Sequence, residues 1–182
     1  MPLGAGLLAL STFFLFFFRD PDRTIPVIAG AILAPADGRV MVAGASTSAD
    51  FPPASWQQIS IFLSPMDVHV NRMPAGGQVV KVRYHPGRFL PAYKAEAGDL
   101  NEYTEVWLRH DSHMIVVRQV VGILARRIVC RAQEGSVVKP GDRFGVMKFG
   151  SRMDVFLPAT ADIRAKVGDK TVGGVTVIAL LR

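Results

Sequence analysis

Hydrophobic residues are spread unevenly along the chain, with one long uncharged block at the N-terminus. The segment PLGAGLLALSTFFLFFF, residues 2–18, carries no charged side chain and ends abruptly at RDPDR. A helix of this length rises roughly 25 Å, just short of a bilayer core of about 30 Å. Because Arg19 and Arg23 follow and can reach the headgroups, the pattern predicts a membrane anchor over residues 1–18, either a marginal span or a tilted, half-embedded helix.

The rest of the chain shows short alternating runs instead of helical periodicity. Segments rich in Val and Ile, such as QQISIFLSP (57–65) and HMIVVRQVVG (113–122), are separated by Gly, Pro and Asp at close intervals. Since there is no strand–helix–strand rhythm, the pattern predicts a mainly β, antiparallel domain over residues 19–182. One further segment, VVGILARRIVC (120–130), also has the length and composition of a helix.

Length, charge and cysteine content narrow the class of protein. A chain of 182 residues fits one domain plus an anchor. The formal net charge of +6 suits an anionic partner such as a membrane lipid surface. The basic residues are scattered without the basic-aromatic stripe of nucleic-acid binders, so no nucleic acid is expected. The single cysteine, Cys130, excludes an internal disulfide and lies in an apolar run that predicts a small buried side chain.

Polar residues of the types that catalyse reactions occur at three places. Asp37 in PADGRV precedes a glycine at the start of a predicted strand, which is also typical of a simple turn. In SPMDVHVNRMP, strand alternation places Asp67 and His69 on the same face. Such a polar face is equally typical of a strand edge that faces solvent. Ser151 follows Gly150 in VMKFGSRMD. Together they offer the acid, imidazole and hydroxyl of an activated nucleophile.

The Gly150–Ser151 step differs from the nucleophile of an ordinary hydrolase. It lacks the G-x-S-x-G pattern, and no α/β sheet is predicted around it. The hydroxyl does adjoin the carbonyl of Gly150, which no side chain shields and whose backbone can adopt strained dihedral angles. A second Gly–Ser pair, Gly135–Ser136, is explained by a turn.

The order and spacing of the motifs resemble the phosphatidylserine decarboxylases of the short, single-domain type over essentially the whole chain. The similar segments are, in order, FFRDPDRTIP, ILAPADGRV, IFLSPMDVHVNRMP, YHPGRF, GILARRIVCRAQEG, VKPGDRFGVMKFGSRMDVFLP and AKVGDKTVGG. Each segment alone is weak evidence, whereas their order and spacing are specific. The chain departs from many relatives at Arg72, where they carry a second histidine three residues after the first.

The resemblance implies a proenzyme that cuts its own chain between Gly150 and Ser151 and converts Ser151 into a pyruvoyl cofactor, with no metal. Ser151 would attack the Gly150 carbonyl, His69 would be its base and later the acid that protonates the product, and Asp37 would orient the imidazole. The long and short chains would stay associated and convert phosphatidylserine to phosphatidylethanolamine with loss of CO2. Arg72 is predicted to bind the substrate phosphate, with a structural ion pair as the alternative.

Other substrates and classes stay open at this point. A decarboxylase of another phosphoserine lipid, such as archaetidylserine, would have the same head group. The similarity of SVVKPGDRFG to RAKVGDKTVGG, each a strand, a Gly-Asp turn and a second strand, is typical of barrel-sandwich folds and predicts a barrel-sandwich-like domain. Together with Lys148 in a Met-Lys dipeptide, it also indicates a biotinyl- or lipoyl-like carrier domain. The resemblance implies a location at the cell membrane, peripheral or anchored by the N-terminus. Whether the chain forms a homo-oligomer is left open, as are the roles of Asn101 and Glu102 in LNEYTEV.

Overall fold

The structure, a computed structural model, describes residues 2–52, 54–123, 127–148 and 150–181, with only the backbone of residues 2 and 3. Met1 of the predicted anchor and Arg182 of the predicted domain lie outside these ranges. The helices are α1 (Pro2–Phe17) and the short α2 (Ala97–Leu100). The strands are β1 (Ala31–Leu33), β2 (Gly38–Ala45), β3 (Trp56–Leu63), β4 (Val70–Arg72), β5 (Gly77–His85), β6 (Tyr103–His110), β7 (His113–Val120), β8 (Ile128–Cys130), β9 (Val137–Val138), β10 (Arg143–Met147), β11 (Ser151–Pro158), β12 (Asp162–Ile163), β13 (Lys170–Thr171) and β14 (Val177–Leu180).

The strands form three sheets in which the named strands pair antiparallel. The large sheet has eight strands in the order β13-β2-β3-β11-β7-β6-β5-β9, and the two small sheets have the orders β1-β14-β12 and β4-β10-β8. This confirms the prediction of a mainly antiparallel β fold, while a barrel-sandwich-like arrangement stays a prediction. The helical alternative for residues 120–130 is wrong at both ends, because Val120 ends β7 and Ile128–Cys130 is a strand. Residues 124–126 lie outside the described ranges.

β11 runs through the middle of the large sheet and is buried on both faces. Met153, Val155 and Leu157 alternate into the main hydrophobic core, to which the small sheets also contribute. By the same alternation, Ser151 lies on the core face of the strand. The intervening residues face the other side, where Arg152 donates a hydrogen bond to Asp154 at 2.6 Å. The first residue of β11 is therefore placed against the core and away from solvent.

α1 presents most of its apolar side chains to solvent. The exposed ones include Leu7, Leu8, Leu10 and Leu15, whereas Phe17 at the end of the helix is completely buried. Among the described residues, none of the helices has both the length and the apolar character needed to cross a bilayer. Attachment of residues 1–18 to a membrane stays a prediction.

Candidate functional site

Two strands begin beside the end of β3, and both bear on the predicted site. β3 lies between β2 and β11 and is antiparallel to each, so the first residues of β2 and β11 flank its last residues. Ser151 pairs with Leu63, and Arg39 pairs with Phe62. Asp37 directly precedes β2 and therefore lies at the same end of the sheet as Ser151.

His69 reaches this end of the sheet through the turn that follows β3. The Asp67 carboxylate accepts hydrogen bonds from the Ser64 backbone N–H and hydroxyl, at 2.8 and 2.7 Å, which closes the turn. The Met147 N–H then donates to the His69 carbonyl at 3.3 Å, so His69 lies opposite the end of β10, the strand that leads towards Ser151. The fold thus brings the predicted imidazole and the predicted hydroxyl to one end of the domain.

The imidazole of His69 and the hydroxyl of Ser151 are both buried, with exposed fractions of 1% and 0%. His69 Nδ1 lies 2.8 Å from the Asp67 carbonyl, so Nδ1 donates and Nε2 carries the free lone pair. Within the described part of the chain, neither His69 Nε2 nor Ser151 Oγ has a hydrogen-bond partner. Buried polar atoms are rarely left unpaired, and an unpaired base and hydroxyl at one end of a domain are the groups that a proton transfer requires.

Burial sets the protonation state of this imidazole. It lowers the pKa of His69, against the opposing effects of the hydrogen bond to the Asp67 carbonyl and of the Asp67 charge; the positive charge of Arg19 adds to the lowering. A lowered pKa favours the neutral imidazole at neutral pH, because burial disfavours the charged form. His69 is therefore in the state that can accept a proton.

Asp37, which is predicted to orient the imidazole, bonds to other groups than His69 among the described residues. Asp37 Oδ2 accepts a hydrogen bond from Arg23 at 2.9 Å, and its Oδ1 accepts one from the Gly173 N–H at 2.7 Å. The Asp67 carbonyl accepts the hydrogen bond of His69 Nδ1. Asp37 thus fixes the segments that contain Arg23 and Gly173, and its role in orienting the imidazole stays a prediction.

The carbonyl group of Gly150 packs against the backbone of Gly122. A methyl group added to Gly122 would overlap the Gly150 carbonyl oxygen and would lie 3.3 Å from Ala92 Cβ. Gly150 itself has a φ angle of 67°, in the left-handed region that favours glycine. Two glycines therefore leave room beside this carbonyl. Gly122 is the first residue of the segment GILARRIVCRAQEG, but that segment by itself indicated no role for the glycine.

Asn101 and Glu102, whose roles the sequence left open, hold the segment that ends at Gly122. The Asn101 side chain accepts a hydrogen bond from the Leu90 N–H at 2.9 Å and donates to the carbonyls of Leu90 and Val121, at 2.8 and 2.9 Å. The Glu102 carbonyl accepts a bond from the Val121 N–H at 3.1 Å. Both residues therefore position Val121 and, with it, the adjacent Gly122.

Arg72 is buried and already paired. Its guanidinium donates to Asp20 at 2.8 Å and to the carbonyls of Pro21 and Gly141, each at 3.2 Å. This is the structural ion pair that the sequence left as the alternative to phosphate binding. Arg72 also lines a cavity of about 690 Å³, and the other arginines in its wall are Arg23, Arg131 and Arg143. Binding of a phosphate by Arg72 stays a prediction.

Comparison with known proteins shows similarity over almost the whole chain. The family described as phosphatidylserine decarboxylase matches residues 10–179, a range that contains the whole candidate site. A phosphatidylserine decarboxylase proenzyme of Prosthecochloris aestuarii is 43% identical over 181 residues, covering 100% of this chain and 83% of that protein. A protein of the same name from Gluconacetobacter diazotrophicus is 46% identical over 178 residues, covering 93% of this chain and 77% of that protein.

Proposed function

Because the chain belongs to the phosphatidylserine decarboxylase family, we propose that it is a self-processing carboxy-lyase that converts phosphatidylserine to phosphatidylethanolamine and CO2. The observation that carries this proposal is the buried hydroxyl of Ser151, which has no hydrogen-bond partner among the described residues. It directly follows a glycine with positive φ, and it lies at the same end of the domain as the unpaired Nε2 of His69. The relatives are named proenzymes, which supports a chain that is processed after synthesis.

We place the processing reaction at the peptide bond between Gly150 and Ser151. Ser151 Oγ attacks the Gly150 carbonyl carbon, and the neutral His69 Nε2 accepts the hydroxyl proton. The same proton passes to the peptide nitrogen as the carbon–nitrogen bond breaks, which leaves an ester between the two residues. The absence of side chains at Gly150 and Gly122 supports this assignment, because both glycines leave room around the carbonyl while its carbon becomes tetrahedral.

The ester then breaks by elimination: Ser151 Cα loses a proton, the Gly150 carboxylate leaves Cβ, and the dehydroalanine that remains reacts with water to give a pyruvoyl group and ammonia. The surroundings of Ser151 fit this group, which is no larger than the serine it replaces, because Ser151 is fully buried and its Oγ has no hydrogen bond to lose among the described residues. When it is present, the group supplies an electron-accepting carbonyl for the loss of CO2 from a serine head group. His69 then returns a proton to the product carbon, as a buried imidazole with a lowered pKa can do after it has taken up a proton.

The two chains made by cleavage would stay together through β11. This strand begins at Ser151 and pairs along its whole length with β3, from Ser151 opposite Leu63 to Pro158 opposite Trp56. Its other edge pairs with β7, from Arg152 to Phe156. Cleavage before β11 leaves the pairing of residues 152–158 in place, so β11, now part of the short chain, remains a central strand of the large sheet.

The substrate phosphate is proposed to bind at Arg72, in the cavity that Arg72 lines together with three other arginines. Guanidinium groups suit a phosphate because they present paired N–H donors. A phosphate at this position would have to displace Asp20 from Arg72, since the two are paired in the structure. Archaetidylserine has the same phosphoserine head group, so this site does not discriminate against it.

The carrier-domain alternative at Lys148 is not favoured, because the family match covers the whole β domain up to residue 179.

Membrane attachment is proposed for α1, at the cell membrane. Its exposed leucine and phenylalanine side chains would enter the apolar layer, and Arg19, which stacks at 4.0 Å on the Phe16 ring, would lie at the headgroups. The 16 residues of α1 rise roughly 24 Å, which suits a tilted or half-embedded helix.

Removal of residues 2–12 should abolish binding of the chain to lipid vesicles while the β domain stays folded, because residues 4–12 lie outside the hydrophobic core. Flotation with phospholipid vesicles measures binding, and circular dichroism measures folding. The deletion keeps Phe13 to Phe18, so the end of α1 that contacts the domain is retained. Equal flotation of the truncated and full chains would show that attachment lies elsewhere.

The activity itself is tested with phosphatidylserine in mixed detergent micelles. We expect the purified chain to release one CO2 for each phosphatidylethanolamine formed, and the Ser151→Ala chain to release none. Archaetidylserine in a parallel assay measures the preference for the lipid backbone. A fully cleaved wild-type chain that leaves phosphatidylserine unchanged would contradict the proposed substrate.

A further inference from the structure

Phe17, the last residue of α1, packs into the candidate site although its neighbours face solvent. Its side chain is fully buried, whereas Phe16 and Phe18 are 39% and 45% exposed. The centroid of the Phe17 ring lies 4.1 Å from that of the His69 imidazole, and the two planes are inclined by 33°. At this distance the phenyl ring covers one face of the imidazole.

The segment after α1, residues 19–23, holds Phe17 in this position and is called the strap below. Its charged side chains bond to the domain on both sides of the site: Arg19 to the Met66 carbonyl at 2.7 Å, Asp20 to Arg72 at 2.8 Å, and Arg23 to Asp37 at 2.9 Å. Two of the residues that the sequence singled out, Asp37 and Arg72, are therefore partners of the strap. The end of α1 is fixed to the site by these bonds.

Two points of the His69 ring are fixed, Cγ by its bond to the chain and Nδ1 by the hydrogen bond to the Asp67 carbonyl, but neither contact covers the faces of the ring. A phenyl ring stacked against one face of the imidazole limits its tilt about these two points and also excludes water. Among the described residues, the Nε2 atom has no hydrogen bond that could take over this task.

We infer that Phe17 is a positioning residue for His69: its ring holds the imidazole in one orientation and shields it from water, and the strap keeps the ring in place. The inference rests on the proposed function for the role of His69 as a base. The ring contact itself is independent of that function. It also implies that the N-terminal segment contributes to the chemistry as well as to membrane attachment.

Loss of the Phe17 ring should change the pH dependence of processing. The charged groups that act on His69 are Asp67 in its own turn and Arg19 at the end of α1. Lys148, which follows β10, lies with its Nζ 5.7 Å from the centre of the Phe18 ring. Replacing Phe17 by alanine leaves these charges in place but admits water, so the pKa of His69 should rise towards that of an exposed histidine. Because the neutral imidazole is the base, the pH at half-maximal cleavage rate should then move upwards.

Two measurements test the inference, each in detergent micelles with the full chain. The first is an NMR titration of labelled His69 in the uncleavable Ser151→Ala chain, with the signal assigned by its loss in a His69→Asn variant. The second is the cleavage rate as a function of pH in chains that keep Ser151. We expect Phe17→Ala to raise the pKa of His69 and to slow cleavage about 10- to 100-fold at neutral pH, as a misplaced catalytic group does.

Two further variants separate positioning from general packing. Phe17→Leu keeps an apolar side chain but no flat ring, and we expect it to fall between Phe17→Ala and the wild type in both measurements. Leu15→Ala removes similar apolar bulk from a helix position that is 78% exposed, and we expect it to match the wild type. If Phe17→Ala unfolds the chain, Phe17→Leu decides the question.

The possible failures are distinguishable. A wild-type chain that never cleaves would overturn the proposed function, while the NMR titration would still report whether Phe17 shields His69. A wild-type chain that cleaves, with Phe17→Ala and Phe17→Leu unchanged in titration and rate, would overturn the positioning role. An equal loss in Leu15→Ala would also overturn it, because the effect would then follow from the helix as a whole.

Discussion

A chain carrying Ser151→Ala should remain one polypeptide of 182 residues, whereas the unaltered chain should separate into residues 1–150 and 151–182. The reason is that the hydroxyl belongs to the residue bonded directly to the Gly150 carbonyl, and alanine at position 151 lacks this attacking oxygen. Decarboxylation should be lost with it, since no pyruvoyl group can form. Intact mass spectrometry measures the cleavage, and the short wild-type fragment should resist Edman degradation because its N-terminus is a ketone.

The chain supplies its own matched control for this experiment. Ser136 also follows a glycine with positive φ, Gly135, but its hydroxyl donates a hydrogen bond to the Gln133 carbonyl at 2.6 Å. Ser136→Ala should therefore cleave like the wild type. An active wild-type protein that stays a single full-length chain would contradict the processing proposal, as would cleavage of Ser151→Ala at the same bond.

His69→Ala should reduce the rate of self-cleavage by about 100- to 10,000-fold, the usual contribution of a positioned general base. In the wild type, the rate should rise with pH through the pKa of His69 and level off above it, because only the neutral imidazole accepts the proton. Since burial lowers this pKa, the plateau should be reached at a lower pH than an exposed histidine would give. Time courses of fragment formation at several pH values measure both effects.

Two variants give this second prediction its specificity. His85 is a partly buried histidine whose pKa burial also lowers, but it stacks on Tyr103 at 4.3 Å on another part of the sheet. His85→Ala should cleave normally. Asp37→Asn should slow cleavage less than His69→Ala does, because Asp37 bonds to Arg23 and to the Gly173 N–H, while His69 Nδ1 bonds to the Asp67 carbonyl. Rapid and complete cleavage in His69→Ala would mean that another group activates Ser151.

The strands and the family could be predicted from the sequence, because both depend on local order along the chain. Alternation of apolar residues indicates which face of a strand is buried, and it does so without knowledge of the neighbouring strands. Accordingly, QQISIFL and HMIVVRQV lie in β3 and β7. The Gly150–Ser151 step is also local, since the hydroxyl and the carbonyl belong to adjacent residues. The ordered motifs identified the family, which the comparison confirmed over residues 10–179.

The partners of the site residues were decided only by the tertiary structure. Asp37 pairs with Arg23 and Gly173, and Phe17 covers His69 across a separation of more than 50 residues. The segment FFRDPDR was visible as a motif, but nothing in it shows that its charges bond around the site or that one of its phenylalanines is buried. Such contacts depend on strand register and on the path of loops between distant segments. Periodicity describes one segment at a time, so the sequence indicated which residues are proposed to carry the chemistry, and the fold determined which groups hold them in place.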